Sequence, residues 1–416
     1  MKYGLIGERL THSFSADIHR QLFNYDYELK EIQPDRLESF ITGRTFAGIN
    51  VTIPYKEAVI PYLDVVDDVA QRIGAVNTVV NRNGRLFGYN TDYVGLTELI
   101  KRAGFDLTDS TVLILGSGGT SKTAYAVAND LGCGQAVRLS RNGTEGCITY
   151  AQAKITYKEA DFIINTTPCG MYPNIGVSAI DLADYPYLRG VIDVVYNPLR
   201  SRLVCDARVR GIPAFGGLYM LVAQAAYAAQ LFVDATVPTD KVETIYRRLA
   251  AEKQNVVLVG MPASGKSSVG KMLANMLDFD FVDTDAWIER TSGRSIPDIF
   301  SVEGETAFRD LESEAVLAAA GRQRTVIATG GGAVLRSENV QLLRENGRLF
   351  FLDRSLPFLT PTTDRPLSAD AQAMAQRYHE RHGIYVACCD HRIDGDGTLD
   401  TVVNLIKEVL NNDTEI

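Results

Sequence analysis

Short apolar runs, most of them rich in Val, Ile and Leu, alternate along this chain with longer stretches whose apolar residues return at helical spacing. Runs of this length bounded by glycine and proline read as buried strands, and the spaced stretches read as amphipathic helices. The pattern predicts strands at Lys2–Ile6, Thr111–Leu115, Ala136–Ser140, Asp161–Asn165, Gly190–Tyr196, Val256–Val259, Phe279–Val282, Arg324–Ala328 and Leu349–Asp353. A further strand opens at Gly48 and is ended by Pro54. Helices are predicted from Ala16, after Gly119 as far as Gly132, after Gly217, over Thr239–Lys253 and after Lys266. In the last of these, Val269, Met272, Leu273 and Met276 make one apolar face. Two later helices carry Arg309, and Arg377 with Arg381 and Tyr385. Strands alternating with helices argue for an α/β fold built on parallel sheets.

The chain has 416 residues, enough for two or three domains with ample core. Its formal charge of −9 argues against nucleic acid and anionic membrane as partners, so local basic side chains must meet any anionic substrate. No apolar run is long enough to cross a bilayer, and Met1-Lys-Tyr-Gly passes into a strand at once, leaving no room for a signal peptide. Cys133, Cys147, Cys169, Cys205, Cys388 and Cys389 follow neither a zinc nor a disulfide spacing and read as thiols in a reducing cytoplasm. No pattern in the sequence sets an oligomeric state.

The strand at Val256–Val259 runs into Gly260-Met-Pro-Ala-Ser-Gly265-Lys266-Ser267, which fits G-x-x-x-x-G-K-[ST], with Ser268 and a helix beyond. Such a loop turns its backbone N–H groups onto phosphates, its lysine reaches the terminal phosphates, and its hydroxyl can ligate Mg²⁺. A nucleoside triphosphate is the expected ligand. The next strand ends in two carboxylates, Asp283 and Asp285.

The strand Thr111–Leu115 enters Gly116-Ser-Gly118-Gly119-Thr-Ser121, a dinucleotide-type turn with Ser121 in the third glycine position. A carboxylate closing the following strand would bind the ribose 2′-hydroxyl of NAD. Arg141 stands there instead, which suits the 2′-phosphate of NADP. Other polar groups gather at strand ends. Ser13 and Ser15 either hold a carboxylate or cap the helix that follows. Lys56 and Asp92, where they meet, make an acid–base pair able to move a proton to a developing alkoxide. Gln224 lies on an apolar helix and is either a satisfied core amide or a ligand. Asp394-Gly-Asp396-Gly lacks calcium-loop spacing and reads as a turn.

In this order the motifs carry two resemblances. Residues 1 to about 250 resemble the shikimate dehydrogenases through His12-Ser13-Phe14-Ser15, Asn50-Val-Thr52-Ile-Pro-Tyr-Lys56, Gly74-Ala-Val-Asn77-Thr78, Asn90-Thr-Asp92, the glycine turn, Asn165-Thr-Thr-Pro168 and Gln224. Residues from about 254 onward resemble the shikimate kinases through the phosphate loop, Asp283-Thr-Asp285, Phe308-Arg309, Gly330-Gly331-Gly332, Asp364-Arg365-Pro366-Leu367 and Arg381 with Tyr385.

The first resemblance implies a two-lobed dehydrogenase, with a substrate subdomain made of 1–93 and 219–250 and a Rossmann-like NADP-binding subdomain over 94–218. Ser13 and Ser15 would hold the substrate carboxylate, and Thr52, Asn77, Asp92 and Gln224 its ring hydroxyls. Lys56 with Asp92 would manage the proton while NADPH delivers hydride to the C3 carbonyl of 3-dehydroshikimate. Gly116, Gly118, Gly119, Ser121 and Arg141 would bind NADP.

The second resemblance implies a P-loop kinase domain with a parallel sheet over 254–416. Gly260, Gly265, Lys266, Ser267 and Ser268 would hold ATP, and Ser267 with Asp283 would hold Mg²⁺. Asp285 would contact the attacking shikimate hydroxyl, and Arg309 and Arg381 would grip the carboxylate. Gly330, Gly331 and Gly332 would pack on the ring, and Arg365 would close over the transferring phosphoryl.

This chain departs from the family patterns at Ala16, Ser140 and Gly383, and more visibly between Asp353 and Arg365. That span is short and holds Pro357 and Pro361, where relatives carry a basic helix beside adenine, so an irregular loop is expected, with base selectivity either weak or supplied by backbone groups elsewhere. The resulting expectation is a bifunctional cytoplasmic enzyme acting on 3-dehydroshikimate and shikimate. One alternative is a quinate-oxidising dehydrogenase; another is a P-loop half that senses nucleotide without turning it over. Intact Lys266, Asp285, Arg309 and Arg381 argue against the second.

Overall fold

A computed structural model describes residues 1–10, 14–144, 146–359 and 371–412. The chain divides into two units: Met1–Gly170, Ser178–Tyr196 and Asp206–Leu249 form the first, and Met171–Val177, Asn197–Cys205 and Ala250–Ile416 the second.

The first unit contains two sheets. One takes β1 (Tyr3–Gly7), β2 (Tyr27–Glu31), β3 (Gly48–Val51), β4 (Val65–Val66), β5 (Thr78–Arg82) and β6 (Arg85–Tyr89) in the order β2-β1-β3-β5-β6-β4. β1 pairs parallel with β2 and β3, while β5 runs antiparallel to β3 and to β6. The β5–β6 hairpin turns on Asn83-Gly84, both with positive φ, as a tight two-residue turn requires. Ile6, Ile49, Val51, Val79 and Leu86 join one core cluster with Ile41 and Tyr55. Tyr3 and Val80 pack with Ala228 and Phe232 of the helix Leu218–Val233. That helix also meets the helix Thr91–Arg102 so closely that a Cβ on Gly95 would lie 2.7 Å from the Met220 carbonyl oxygen. This close approach is what carries Gln224 toward the ends of β3 and β5.

The other sheet takes β7 (Thr111–Leu115), β8 (Gln135–Ser140), β9 (Ile148–Thr149), β10 (Phe162–Asn165), β11 (Gly190–Asp193) and β12 (Ala214–Phe215) in the order β12-β11-β10-β7-β8-β9. Every pairing in it is parallel. β10 and β11 are buried throughout, as expected for strands covered on both faces. Strand order reverses beside β7, so its C-terminal end opens on the crevice where such sheets bind ligands. β11 ends at Asp193, short of the Tyr196 end expected from its apolar run. The Asp193 carboxylate accepts hydrogen bonds from Asn165 Nδ2 at 2.9 Å and from the Val195 N–H at 2.9 Å, which turns the chain out of the sheet.

The second unit has one fully parallel sheet of β13 (Asn255–Val259), β14 (Asp280–Asp283), β15 (Thr325–Ala328), β16 (Gly347–Asp353) and β17 (His391–Asp394), in the order β14-β15-β13-β16-β17. The helix Lys266–Leu277 buries Val269, Gly270, Leu273 and Ala274, whereas Met276 is exposed, contrary to the apolar face expected from the sequence. The reason is Gly270: a Cβ there would lie 2.5 Å from the Phe281 ring, so the buried stripe rotates toward the small residues. Near the start of β16, the Leu199 N–H donates to Asn346 Oδ1 at 3.2 Å and Arg200 Nη2 donates to the Gly347 carbonyl at 2.6 Å. Asp394–Asp396 is a turn, closed by the Asp396 N–H on Asp394 Oδ1 at 3.0 Å. Among the described residues no helix is long and apolar enough to cross a membrane, and none of the six cysteines is in a disulfide.

Candidate active sites

In the first unit β3 delivers Thr52 at its end and then a short helical turn, Tyr55–Ala58, that carries Lys56. The Lys56 carbonyl accepts from the Val76 N–H at 2.7 Å, tying that turn to the segment before β5. Asp92 is the second residue of the helix Thr91–Arg102, whose N-cap Asn90 accepts the Tyr93 N–H at 3.1 Å. These two anchors bring Lys56 Nζ to 2.6 Å from Asp92 Oδ2, with only 17% and 12% of the side chains exposed. A pair so placed can hold an ammonium beside an oxygen and pass it a proton.

Asn77 and Gln224 join this pair through one buried residue. Asn77 Oδ1 accepts the Thr91 N–H at 2.6 Å, and Thr91 Oγ1 lies 3.2 Å from Gln224 Oε1. Gln224 is therefore a buried amide whose oxygen is held in place, while its Nε2 donates to the Leu221 carbonyl at 3.0 Å. The helix Ser15–Leu22 starts at Ser15, itself buried, with Phe14 as N-cap and no side-chain capping bond, so Ser15 does not serve as the cap. Ser13 lies outside the described residues.

The dinucleotide-type turn stands next to Lys56. A Cβ on Gly119 would lie 4.0 Å from Lys56 Cδ. Gly116 has φ 122° and a Cβ there would lie 2.7 Å from Thr166 Oγ1, so both backbone and neighbour demand glycine. A Cβ on Gly118 would meet nothing, leaving the open approach that a pyrophosphate needs. Ser121 is fully buried and donates to the Gly118 carbonyl at 2.8 Å, which shapes the turn from behind. Arg141 follows the end of β8 and is exposed, free of any neighbouring strand-end carboxylate in its own segment Ser140–Asn142. These features fit an NADP-type dinucleotide.

In the second unit β13 leads into the phosphate loop. Gly260 has φ 147° and Gly265 φ 90°, and a Cβ on Gly260 would lie 2.9 Å from the Leu352 carbonyl oxygen. Lys266 is buried, and its Nζ donates to the Gly260 and Met261 carbonyls at 2.9 and 2.8 Å, spanning the loop it closes. Ser267 Oγ donates to Asp283 Oδ2 at 2.5 Å, while Asp283 Oδ1 accepts the Asp285 N–H at 3.0 Å as the cap of the helix Thr284–Ser292. A hydroxyl and a carboxylate side by side are hard oxygen donors of the kind Mg²⁺ takes. Ser268 is exposed on the first turn of its helix.

A second cluster is built around the Gly330–Gly332 turn. The Gly330 N–H donates to Thr284 Oγ1 at 2.8 Å, and a Cβ on Gly330 would lie 2.5 Å from Asp285 Oδ1. A Cβ on Gly331 would lie 2.8 Å from Pro262 Cδ, and one on Gly332 only 1.8 Å from Arg309 Nη1. Arg381 Nη1 and the Tyr385 hydroxyl both donate to the Gly331 carbonyl. Three glycines thus let a carboxylate, two guanidinium groups and the phosphate loop close on one turn. Burial pushes the Tyr385 phenol up to about 12, so it stays a hydrogen-bond donor. Arg365 and Pro361 lie outside the described residues; Leu356–Phe358, with Pro357, forms a single 3₁₀ turn.

Known proteins resemble both parts of the chain. The substrate-binding domain of shikimate dehydrogenase matches residues 5–79, and shikimate kinase matches residues 262–411. The shikimate dehydrogenase (NADP(+)) of Clostridium perfringens is 34% identical over 264 residues, covering 59% of this chain and 97% of that protein. That of Geobacillus kaustophilus is 38% identical over 248 residues, covering 54% of this chain and 90% of its own length. Among solved structures, a chorismate mutase/shikimate 5-dehydrogenase fusion protein from Clostridium acetobutylicum aligns with TM-score 0.57 and 32% identity, over 59% of this chain and 96% of the other. Shikimate 5-dehydrogenase from Thermus thermophilus, in complex with NADP(H) and shikimate, aligns with TM-score 0.54 and 30% identity, over 60% of this chain and 99% of the other. This chain belongs to the shikimate dehydrogenase family. It carries a shikimate kinase domain behind the dehydrogenase.

Within the shikimate kinase domain, sequence reading passed over Glu312. Its carboxylate accepts Arg309 Nη1 at 2.6 Å, is 1% exposed, and is pushed above the usual carboxylate range by burial, against the opposing pull of Arg309. A spacing of three residues on one helix was the available signal, but such pairs are common on solvated faces. Arg354 was also passed over; its Nη1 lies 3.8 Å from where a Cβ on Gly265 would sit. In the shikimate dehydrogenase part, Thr91, between Asn90 and Asp92, carries no signal of its own in the sequence.

Proposed function

We propose that this chain reduces 3-dehydroshikimate to shikimate with NADPH and then phosphorylates shikimate with ATP. The observation that carries the reading is the Lys56–Asp92 pair, 2.6 Å apart beside the Gly119 turn, in a chain that also holds a complete phosphate loop. Lys56 gives a proton to the C3 oxygen as charge develops there, and Asp92 keeps the ammonium in reach and accepts from a ring hydroxyl. Ser13, Ser15, Thr52, Asn77 and Gln224 orient the substrate by its carboxylate and hydroxyls. Gly116, Gly118, Gly119, Ser121 and Arg141 would hold NADPH, which supplies the hydride when bound.

In the kinase, Lys266 and the loop amides around Gly260, Gly265, Ser267 and Ser268 take the phosphates. Ser267 and Asp283 would hold Mg²⁺, which neutralises phosphate charge when bound. Asp285 aligns the attacking hydroxyl, Arg309 and Arg381 grip the shikimate carboxylate against the Gly330–Gly332 turn, and Arg365 covers the transferring group. Positioning and charge neutralisation are what this transfer needs. The proposed boundaries are a substrate subdomain of 1–93 with 219–250, an NADP-binding subdomain of 94–218 and a kinase domain of 254–416, in a cytoplasmic enzyme. A single reaction with 3-dehydroshikimate, NADPH and ATP tests it: NADPH loss should precede ADP release, and ADP release should require the dehydrogenase step. NADPH oxidation without ADP release, even when shikimate is added, would overturn the kinase half of the reading; no NADPH oxidation would overturn the other.

A further inference from the structure

We propose that Thr91 is a positioning residue of the dehydrogenase, the junction of a buried relay of hydrogen bonds that aims the Asn77 and Gln224 amides. The inference rests on the reading of the first unit given above. Thr91 and Thr78 are fully buried, and Asn50, Asn77 and Gln224 are all below 10% exposure. Thr91 therefore touches no substrate; it acts through the groups it holds.

The backbone donor sets one end of the relay. A backbone N–H can only donate, so the Asn77 atom 2.6 Å from the Thr91 N–H is the carbonyl oxygen. The Asn77 NH₂ end is thereby turned away from Thr91, and among the described residues it donates to no other group. On the other side, the Tyr27 hydroxyl lies 2.7 Å from Asn50 Oδ1, and Asn50 Nδ2 donates to Thr78 Oγ1 at 3.0 Å. Thr78, having accepted that bond, has one proton to give, with Thr91 Oγ1 at 3.1 Å and Asn77 Oδ1 at 3.3 Å. Thr91 in turn has one proton, with Gln224 Oε1 at 3.2 Å and Asn77 Oδ1 at 3.2 Å. Both are acceptors only. Asn77 Oδ1 already accepts the Thr91 N–H and lies 3.3 Å from Thr78 Oγ1, whereas among the described residues Gln224 Oε1 has the Thr91 hydroxyl as its donor, so the Thr91 proton is assigned to Gln224.

The relay runs Tyr27, Asn50, Thr78, Thr91, Gln224, each of the first four donating to the next. Buried chains of this kind polarise one another and fix rotamers that no single bond would hold. Its effect is to lock the oxygen ends of Asn77 and Gln224 inward, leaving as donors the Asn77 NH₂ group and the second proton of Gln224 Nε2, whose other proton goes to the Leu221 carbonyl. Donors are what ring hydroxyl oxygens and a ring carbonyl require. Without the hydroxyl of residue 91, Gln224 Oε1 would lose that partner and only the Leu221 carbonyl would hold the amide, so the inverted rotamer, with an acceptor where the substrate needs a donor, would be less disfavoured.

The test is Thr91→Val, which keeps the shape and removes the hydroxyl, compared with Thr91→Ser, which keeps the hydroxyl and removes the methyl. Steady-state kinetics with 3-dehydroshikimate and NADPH should show Thr91→Val with KM for 3-dehydroshikimate raised about tenfold or more, the scale of one misoriented hydrogen bond. KM for NADPH should stay within about twofold and kcat should fall less than KM rises. Thr91→Ser should lie within about threefold of the unchanged protein. Phosphorylation of shikimate by the same variants, which needs none of these residues, reports that each chain is folded. Equal losses in Val and Ser variants, or a Val variant within twofold of the unchanged protein, would overturn the proposal. Failure of the unchanged protein to reduce 3-dehydroshikimate would instead overturn the reading on which it rests.

Discussion

Arg309 Nη1 lies 2.6 Å from Glu312 Oε2, and a single methyl group on Gly332 would sit 1.8 Å from that same nitrogen. The guanidinium is thus held from one side by a buried carboxylate and shaped from the other by a missing side chain. Gly332→Ala should push Arg309 off its position and raise KM for shikimate in the kinase reaction at least about tenfold, since a charge-assisted contact to a carboxylate is among the stronger hydrogen bonds. The dehydrogenase rate of that variant should not change. An unaltered KM for shikimate would show that Arg309 does not meet the substrate.

Lys56→Ala should lower NADPH oxidation by roughly two orders of magnitude or more, the scale for losing an acid–base group, and spare phosphorylation. Lys266→Ala should do the reverse, because its Nζ spans the phosphate loop at 2.9 and 2.8 Å and nothing else in that loop carries a charge. Paired assays on each variant check both halves. Loss of both activities from one substitution in a folded chain would contradict independent sites.

Cofactor choice follows from Arg141, exposed beyond the end of β8. Arg141→Asp removes the cation that suits a 2′-phosphate and adds a like charge, so KM for NADPH should rise by about tenfold or more and preference should move toward NADH. Equal use of both cofactors by the unchanged protein would count against the assignment.

Burial pushes the His19 imidazole down to about 3, while its Nδ1 lies 2.5 Å from the Tyr25 hydroxyl and its ring stacks on Tyr27 at 3.9 Å. The folded value is below the unfolded value of 6.5, so the neutral ring stabilises the fold fully above pH 6.5 and this contribution is lost as pH falls toward 3. The slope should approach about 1.4 kcal/mol per pH unit in that window. Urea unfolding followed at several pH values should show it for the first unit, and His19→Gln should flatten the curve.

Asn346 is 3% exposed and serves three backbone groups: its Oδ1 accepts the Leu199 N–H at 3.2 Å, and its Nδ2 donates to the Lys253 and Arg322 carbonyls at 3.1 and 3.0 Å. Asn346→Leu should destabilise the second unit by about 2 kcal/mol or more, because buried polar groups lose their partners together. Thermal unfolding of the kinase activity measures it, and a change below about 0.5 kcal/mol would show that these groups find other partners.

The sequence by itself determined the turns. A phosphate-binding loop, a dinucleotide-type turn and a glycine triplet act through contiguous backbone, so their chemistry is spelled in neighbouring letters. Strands buried on both faces were also legible, because such a strand must be apolar throughout; β2, β6 and β17, polar or half-exposed, were not. Within elements that were read, at the end of β11 and on the helix at Met276, a side chain from elsewhere decided: Asn165 bonding Asp193, and Phe281 packing over Gly270. The meeting of Lys56 with Asp92 could be named as a possibility from the letters, yet the 2.6 Å contact exists because β3 and β6, after which Lys56 and Asp92 follow, are both paired with β5 in one sheet. Glu312 and Thr91 were silent in the sequence for a different reason. Each acts by completing the hydrogen bonds of a distant group, and a buried donor or acceptor acquires meaning only when the fold has brought its partner within reach.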